Sequence, residues 1–111
     1  MHLFYIFFYI YGSIYRRNIR HKYNLTGLVQ DHHIIPREFK HIYTKIDESK
    51  NIIMLPTIYS KEILNSKRSI HYNGHPKYNK LVKKLLESYS PEEIIIFLKQ
   101  ELRKGNPERL L

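Results

Sequence analysis

The chain has no cysteine. That one absence excludes disulfides, thiolate zinc sites and a cysteine nucleophile, and it leaves His, Asp and Glu as the strong metal ligands. Long hydrophobic runs are also lacking. The most apolar stretch, residues 2–15 (HLFYIFFYIYGSIY), is interrupted by Gly12 and Ser13 and stops at Arg16-Arg17. It falls short of the roughly 20 residues that a spanning helix needs. No basic residue precedes the run and no small-residue cleavage site closes it, which argues against a secretory signal. No internal repeat is visible. Acidic residues are scarce: 10 Asp and Glu face 19 Lys and Arg, giving a formal net charge of +9. Such a balance fits a polyanionic partner, either nucleic acid or an acidic membrane surface. Ile, Lys, Asn, Tyr and Phe, the residues of AT-rich codons, are all abundant, so the position of the charges says more than their sum. At 111 residues, one small domain is expected.

What is present divides into three stretches. Residues 1–30 read as an apolar and then basic segment that packs on or precedes the core. The aromatic run is read as a buried strand, helix or partner surface, with an interfacial membrane anchor as the alternative. Residues 16–30 are basic and then turn-like, and a strand is expected from Leu28-Val29-Gln30 toward His32, limited by Pro36. A second short strand is expected at 51–55, ending at Pro56, with one helical turn near Ser60 to Leu64. Pro76 opens a helix whose apolar stripe is Tyr78, Leu81, Leu85 and Tyr89, widened by Val82 and Leu86. Residues 31–89 form the expected core. In the last stretch, 90–111, Ser90-Pro91-Glu92-Glu93 caps a second helix that Gly105 stops.

Four of the seven histidines fall into two tight groups, His32-His33 and His71-Tyr-Asn-Gly-His75. The i, i+4 spacing of the second group brings two imidazoles toward one point on a helical turn or a tight loop. A catalytic metal takes three protein ligands and keeps one position open. His32, His71 and His75 can supply those three, leaving His33 as a neutral imidazole that deprotonates water. Consecutive strand residues point to opposite faces, so the strand is expected to twist or bulge at His32-His33. Asp31 is an alternative ligand, or an acceptor that orients an imidazole. His2, His21 and His41 lack partners at ligand spacing and read as ordinary surface or core residues. Arg37, Lys77, Lys80 and Lys84 are candidate phosphate contacts, and a solvated helix face is the plainer reading of the lysines.

Three ordered blocks carry a resemblance: Asp31-His32-His33-Ile34-Ile35-Pro36, Asn51-Ile52-Ile53-Met54-Leu55-Pro56, and His71-Tyr72-Asn73-Gly74-His75-Pro76-Lys77-Tyr78-Asn79. Together they resemble the AHH family of the HNH/endonuclease VII superfamily, over residues 31 to 82. The family pattern reads approximately A-H-H-x-I-P, N-G-I-x-L-P and H-x-G-x-H-P-x-Y-N. Asp31 stands where Ala is usual, Ile52 where Gly is usual, and the third-block glycine lies one place later, at Gly74.

The resemblance implies an α+β fold with a small ββα-metal (His-Me finger) core, a short β-hairpin and additional flanking helices. It implies that His33 is the general base and that Asn51 fixes the strand bearing it. His32, His71 and His75 would hold one divalent ion, of Zn, Mg, Mn or Ni identity. The implied activity is a phosphodiester hydrolase cutting DNA, with RNA as the alternative substrate, to leave 5′-phosphate and 3′-hydroxyl ends. A non-catalytic nucleic-acid-binding module with a His-ligated structural zinc is the competing expectation. An intracellular microbial or viral nuclease is the default setting. A secreted toxin effector, with an immunity or partner protein, is the other setting that the family allows.

Overall fold

A computed structural model describes residues 14–39, 41, 48–71 and 76–110. The expectations placed on residues 1–13 and on His75 lie outside these residues. The described chain is α+β. A helix, α1 (residues 14–22), leads into strand β1 (Val29–His33). After two single 3-10 turns, Arg37–Phe39 and Glu48–Asn51, comes strand β2 (Ile52–Pro56). Helices α2 (Pro76–Leu86) and α3 (Pro91–Lys104) follow, and a 3-10 turn at Pro107–Leu110 comes last.

Residues 16–22 are thus helical, where the sequence reads only as basic. A turn at Leu25–Leu28, closed by Leu28 N–H to Leu25 C=O at 2.9 Å, passes the chain into β1. Gly27 sits in it at φ +80°, a left-handed conformation that a Cβ would strain.

β1 and β2 pair antiparallel from Val29 opposite Pro56 to His33 opposite Ile52. The register has no extra residue on either strand, so the bulge expected at the His pair is absent. The two side chains leave opposite faces of the sheet. His32 is buried at 5% exposure, and His33 is only partly covered. Ile52, where the family pattern has glycine, is a regular strand residue at 7% exposure, its side chain used in packing.

One sheet face carries Ile53 and Leu55 into a core with Ile34, Ile35 and Phe39, the α2 residues Tyr78, Leu81 and Val82, and the α3 residues Ile94, Ile95, Leu98 and Leu102. The helical stripe explains this burial, except at Tyr89. That residue lies beyond α2 and is 55% exposed. The following Ser90 must be extended because it precedes Pro91, and it adopts φ −72°, ψ 155°. Ser90 caps α3: its Oγ accepts from Glu93 N–H at 3.2 Å and donates to Glu93 Oε1 at 3.0 Å. At the other end Gly105 N–H reaches Glu101 C=O at 3.2 Å.

The free edge of β2 is covered by residues 68–71. Arg68 Nη1 donates to Met54 C=O at 2.9 Å and His71 N–H to Pro56 C=O at 2.9 Å, while Ser69 N–H ties the segment to Leu102 C=O of α3 at 2.8 Å. Among the described residues no helix is long and apolar enough to cross a membrane.

Candidate active site

The site is organised by a buried amide. Asn51 is 0% exposed and holds both backbone polar groups of one residue. Its Oδ1 accepts from Ile35 N–H at 2.8 Å, and its Nδ2 donates to Ile35 C=O at 3.0 Å. Its own carbonyl accepts from Ile34 N–H at 2.8 Å. Asn51 therefore extends the ladder by one rung past His33 and fixes the bend that follows. A side chain with one donor and one acceptor in a plane is what this pairing requires.

A second hydrogen bond holds the same bend from the opposite side. The Tyr78 hydroxyl donates to Ile34 C=O. Burial pushes this phenol well above its ordinary range, so it remains a donor at every physiological pH. Tyr78 thereby joins α2 to the end of β1, and its ring lies edge-on to His32, with centroids 5.0 Å apart.

His32 also meets His71, ring centroids 5.5 Å apart and planes nearly perpendicular. Nε2 of His32 and Nδ1 of His71 are both buried. Burial holds His71 below the ordinary imidazole range, the nearby His33 adds to this, and Asp31 pulls the other way. His71 is therefore neutral near pH 7. It is in ring contact with His32 and feels the charge of His33.

Of the three residues expected to hold a metal ion, His32 and His71 come together and His75 lies outside the described residues. Among the described residues, no group of three His, Asp or Glu side chains is gathered for an ion. Asp31 is otherwise engaged. Its Oδ2 accepts from Arg16 Nε at 3.0 Å and its Oδ1 from Arg20 Nη1 at 2.7 Å, both from α1. A cation bound there would meet two guanidiniums. The sequence reading missed these arginines, although their i, i+4 spacing on a helix was the available signal.

The expected phosphate contacts Arg37, Lys77, Lys80 and Lys84 are all exposed. The three lysines recur on the side of α2 away from Tyr78 and Val82. A further cationic cluster was not expected. Burial, and then Arg103, lower both Arg68 and Lys99, so three positive groups sit near one another where α3 meets the covering segment of β2.

Comparison of the chain with known protein families, with curated proteins and with solved structures found no match.

Proposed function

We propose that the chain is a metal-dependent endonuclease of the AHH/HNH type, built on a ββα-metal core, that hydrolyses phosphodiester bonds in DNA or RNA. The observation that carries this reading is the ring contact between the buried His32 and the partly buried His71, which also feels the charge of His33. The donor set is suitable: neutral imidazoles are good ligands for Zn²⁺ or Ni²⁺, and Mg²⁺ or Mn²⁺ are the other candidates. His32 and His71, with His75 as the third ligand, would hold the ion. When bound, it would polarise a phosphoryl oxygen and stabilise the departing alkoxide.

The remaining chemistry belongs to the chain. His33 takes a proton from the attacking water as its oxygen bonds to phosphorus. The bond from phosphorus to the 3′ oxygen breaks, and the departing alkoxide takes a proton from solvent water, leaving a 3′-hydroxyl and a 5′-phosphate. Asn51 and Tyr78 position this step by fixing Ile34 and Ile35, the residues that follow the base in the chain. The exposed Arg37, Lys77, Lys80 and Lys84 add sequence-independent attraction to the phosphate backbone. Asp31, with an arginine on each oxygen, is a poor fourth ligand, which favours an open site over a closed structural zinc.

The test is His33→Ala on supercoiled plasmid, single-stranded DNA and RNA, with Zn²⁺, Ni²⁺, Mg²⁺ and Mn²⁺ in turn. Cleavage should fall about 10²- to 10⁴-fold, as for loss of a general base. Folding and metal uptake, read by calorimetric titration, should be retained. Unchanged cleavage by this variant overturns the assignment.

A further inference from the structure

Beside the histidines lies a cleft of about 360 Å³, with His71, Gln30, Tyr59 and Ile63 in its wall. Its size falls within the roughly 300–1,000 Å³ usual for small-molecule sites. One side is a turn tied to the sheet with unusual thoroughness. Thr57 N–H donates to Leu28 C=O at 3.0 Å and Ser60 N–H to Thr57 C=O at 3.1 Å. Ser60 Oγ, from a side chain buried to 1%, accepts from Thr57 N–H at 3.0 Å and donates to Leu28 C=O. This network fixes the backbone of 57–60 and sends the two intervening side chains outward. Ile58 is 59% and Tyr59 89% exposed, and Ile63 from the next turn is 75% exposed.

A rigid turn that spends four hydrogen bonds to display an aromatic ring in water is poor economy for folding alone, since burying that ring would have stabilised the chain. A polar side chain lines the same cleft. Gln30 lies two residues before His32 on the same face of β1, and its amide offers one donor pair and one acceptor. Lys61 follows the turn, in a chain of net charge +9.

We propose that this cleft receives an unstacked nucleobase of a single-stranded polynucleotide, with Tyr59 as the stacking platform and Gln30 facing the base edge. The proposal rests on the nucleic-acid reading of the neighbouring histidines and deepens it. Because His71 is shared between cleft and candidate site, the base in the cleft belongs to a nucleotide next to the phosphate that is cut. A base in an intact duplex is stacked on both sides and cannot offer its face to Tyr59, whereas every base of a single strand can. The preferred substrate is therefore a single strand, an overhang or an unpaired loop.

The test is equilibrium anisotropy of the full chain with a short fluorescein-labelled single-stranded DNA, the RNA of the same sequence and the matching DNA duplex. EDTA is present, so that binding is read without cleavage. The single strands should bind more tightly than the duplex. Tyr59→Ala should weaken the single strands about tenfold, the loss of one stacked base, and the duplex less than twofold. Tyr59→Phe should bind as the parent does, and the salt dependence should be the same in all three proteins, because no phosphate contact is removed. Equal losses on single strand and duplex, or no loss from Tyr59→Ala, overturn the proposal. A parent protein that cleaves none of these substrates with any of the four ions, with the Tyr59 effect intact, would instead remove the nuclease reading and leave the base site standing.

Discussion

Replacing Asn51 by alanine removes the one side chain that serves both backbone polar groups of Ile35. Ile35 is 0% exposed, so neither its N–H nor its C=O has water to turn to. A buried backbone group left without its partner costs about 1–3 kcal/mol, so the pair costs about 2–6 kcal/mol. Single domains hold only about 5–15 kcal/mol in total, so Asn51→Ala should consume a large part of the stability. Asn51→Asp separates the two bonds. The carboxylate keeps the acceptor for Ile35 N–H but opposes its lone pairs to Ile35 C=O, and only the protonated form restores a donor. Burial raises that carboxyl in the folded state above its unfolded value near 3.9. Its contribution is thus complete below about pH 4 and is lost as pH rises through the folded value. The gap between Asn51→Asp and the parent should widen from acid to neutral pH. Urea unfolding followed by far-UV circular dichroism and tyrosine fluorescence measures both variants. An Asn51→Ala protein within about 0.5 kcal/mol of the parent, or a gap for Asn51→Asp that does not change with pH, would refute this reasoning.

Tyr78→Phe keeps the ring against His32 and removes only the donor to Ile34 C=O, so unfolding in urea should show a loss of about 1–2 kcal/mol with no change in m-value. Arg20→Ala, Asp31→Ala and the double variant should give a coupling of about 1 kcal/mol in a double-mutant cycle. The coupling should shrink in high salt, because both side chains are partly exposed.

Most of the secondary structure was legible because its signals are local. The limits of β1 and β2 follow from turn residues and from Pro36 and Pro56, and α3 from a capping serine, a proline and a stopping glycine. Helix α1 was not legible. What its described residues contribute is ionic, Arg16 and Arg20 on a carboxylate carried by β1, and an apolar-stripe argument does not register arginines. The same contact is why Asp31, read as a ligand or as an orienting acceptor, is engaged elsewhere. At the site, the pairing of His32 with His71 could be anticipated from ligand chemistry. The hydroxyl of Tyr78 could not, since periodicity marks that residue only as core. The regular register parts His32 from His33 as plain strand alternation requires, where a twist or bulge was expected to bring them together.

The clamp between Asn51 and Ile35 has an evolutionary consequence. The two ends of the chain between those residues are joined by side-chain and backbone bonds at once. Sequence added between Phe39 and Glu48 would lengthen a connection whose ends are already joined, at a cost of only about 0.6 kcal/mol for each doubling of its length. The histidines of β1 would keep their register. Length can therefore be added between the two joined ends without disturbing the pairing of β1 with β2.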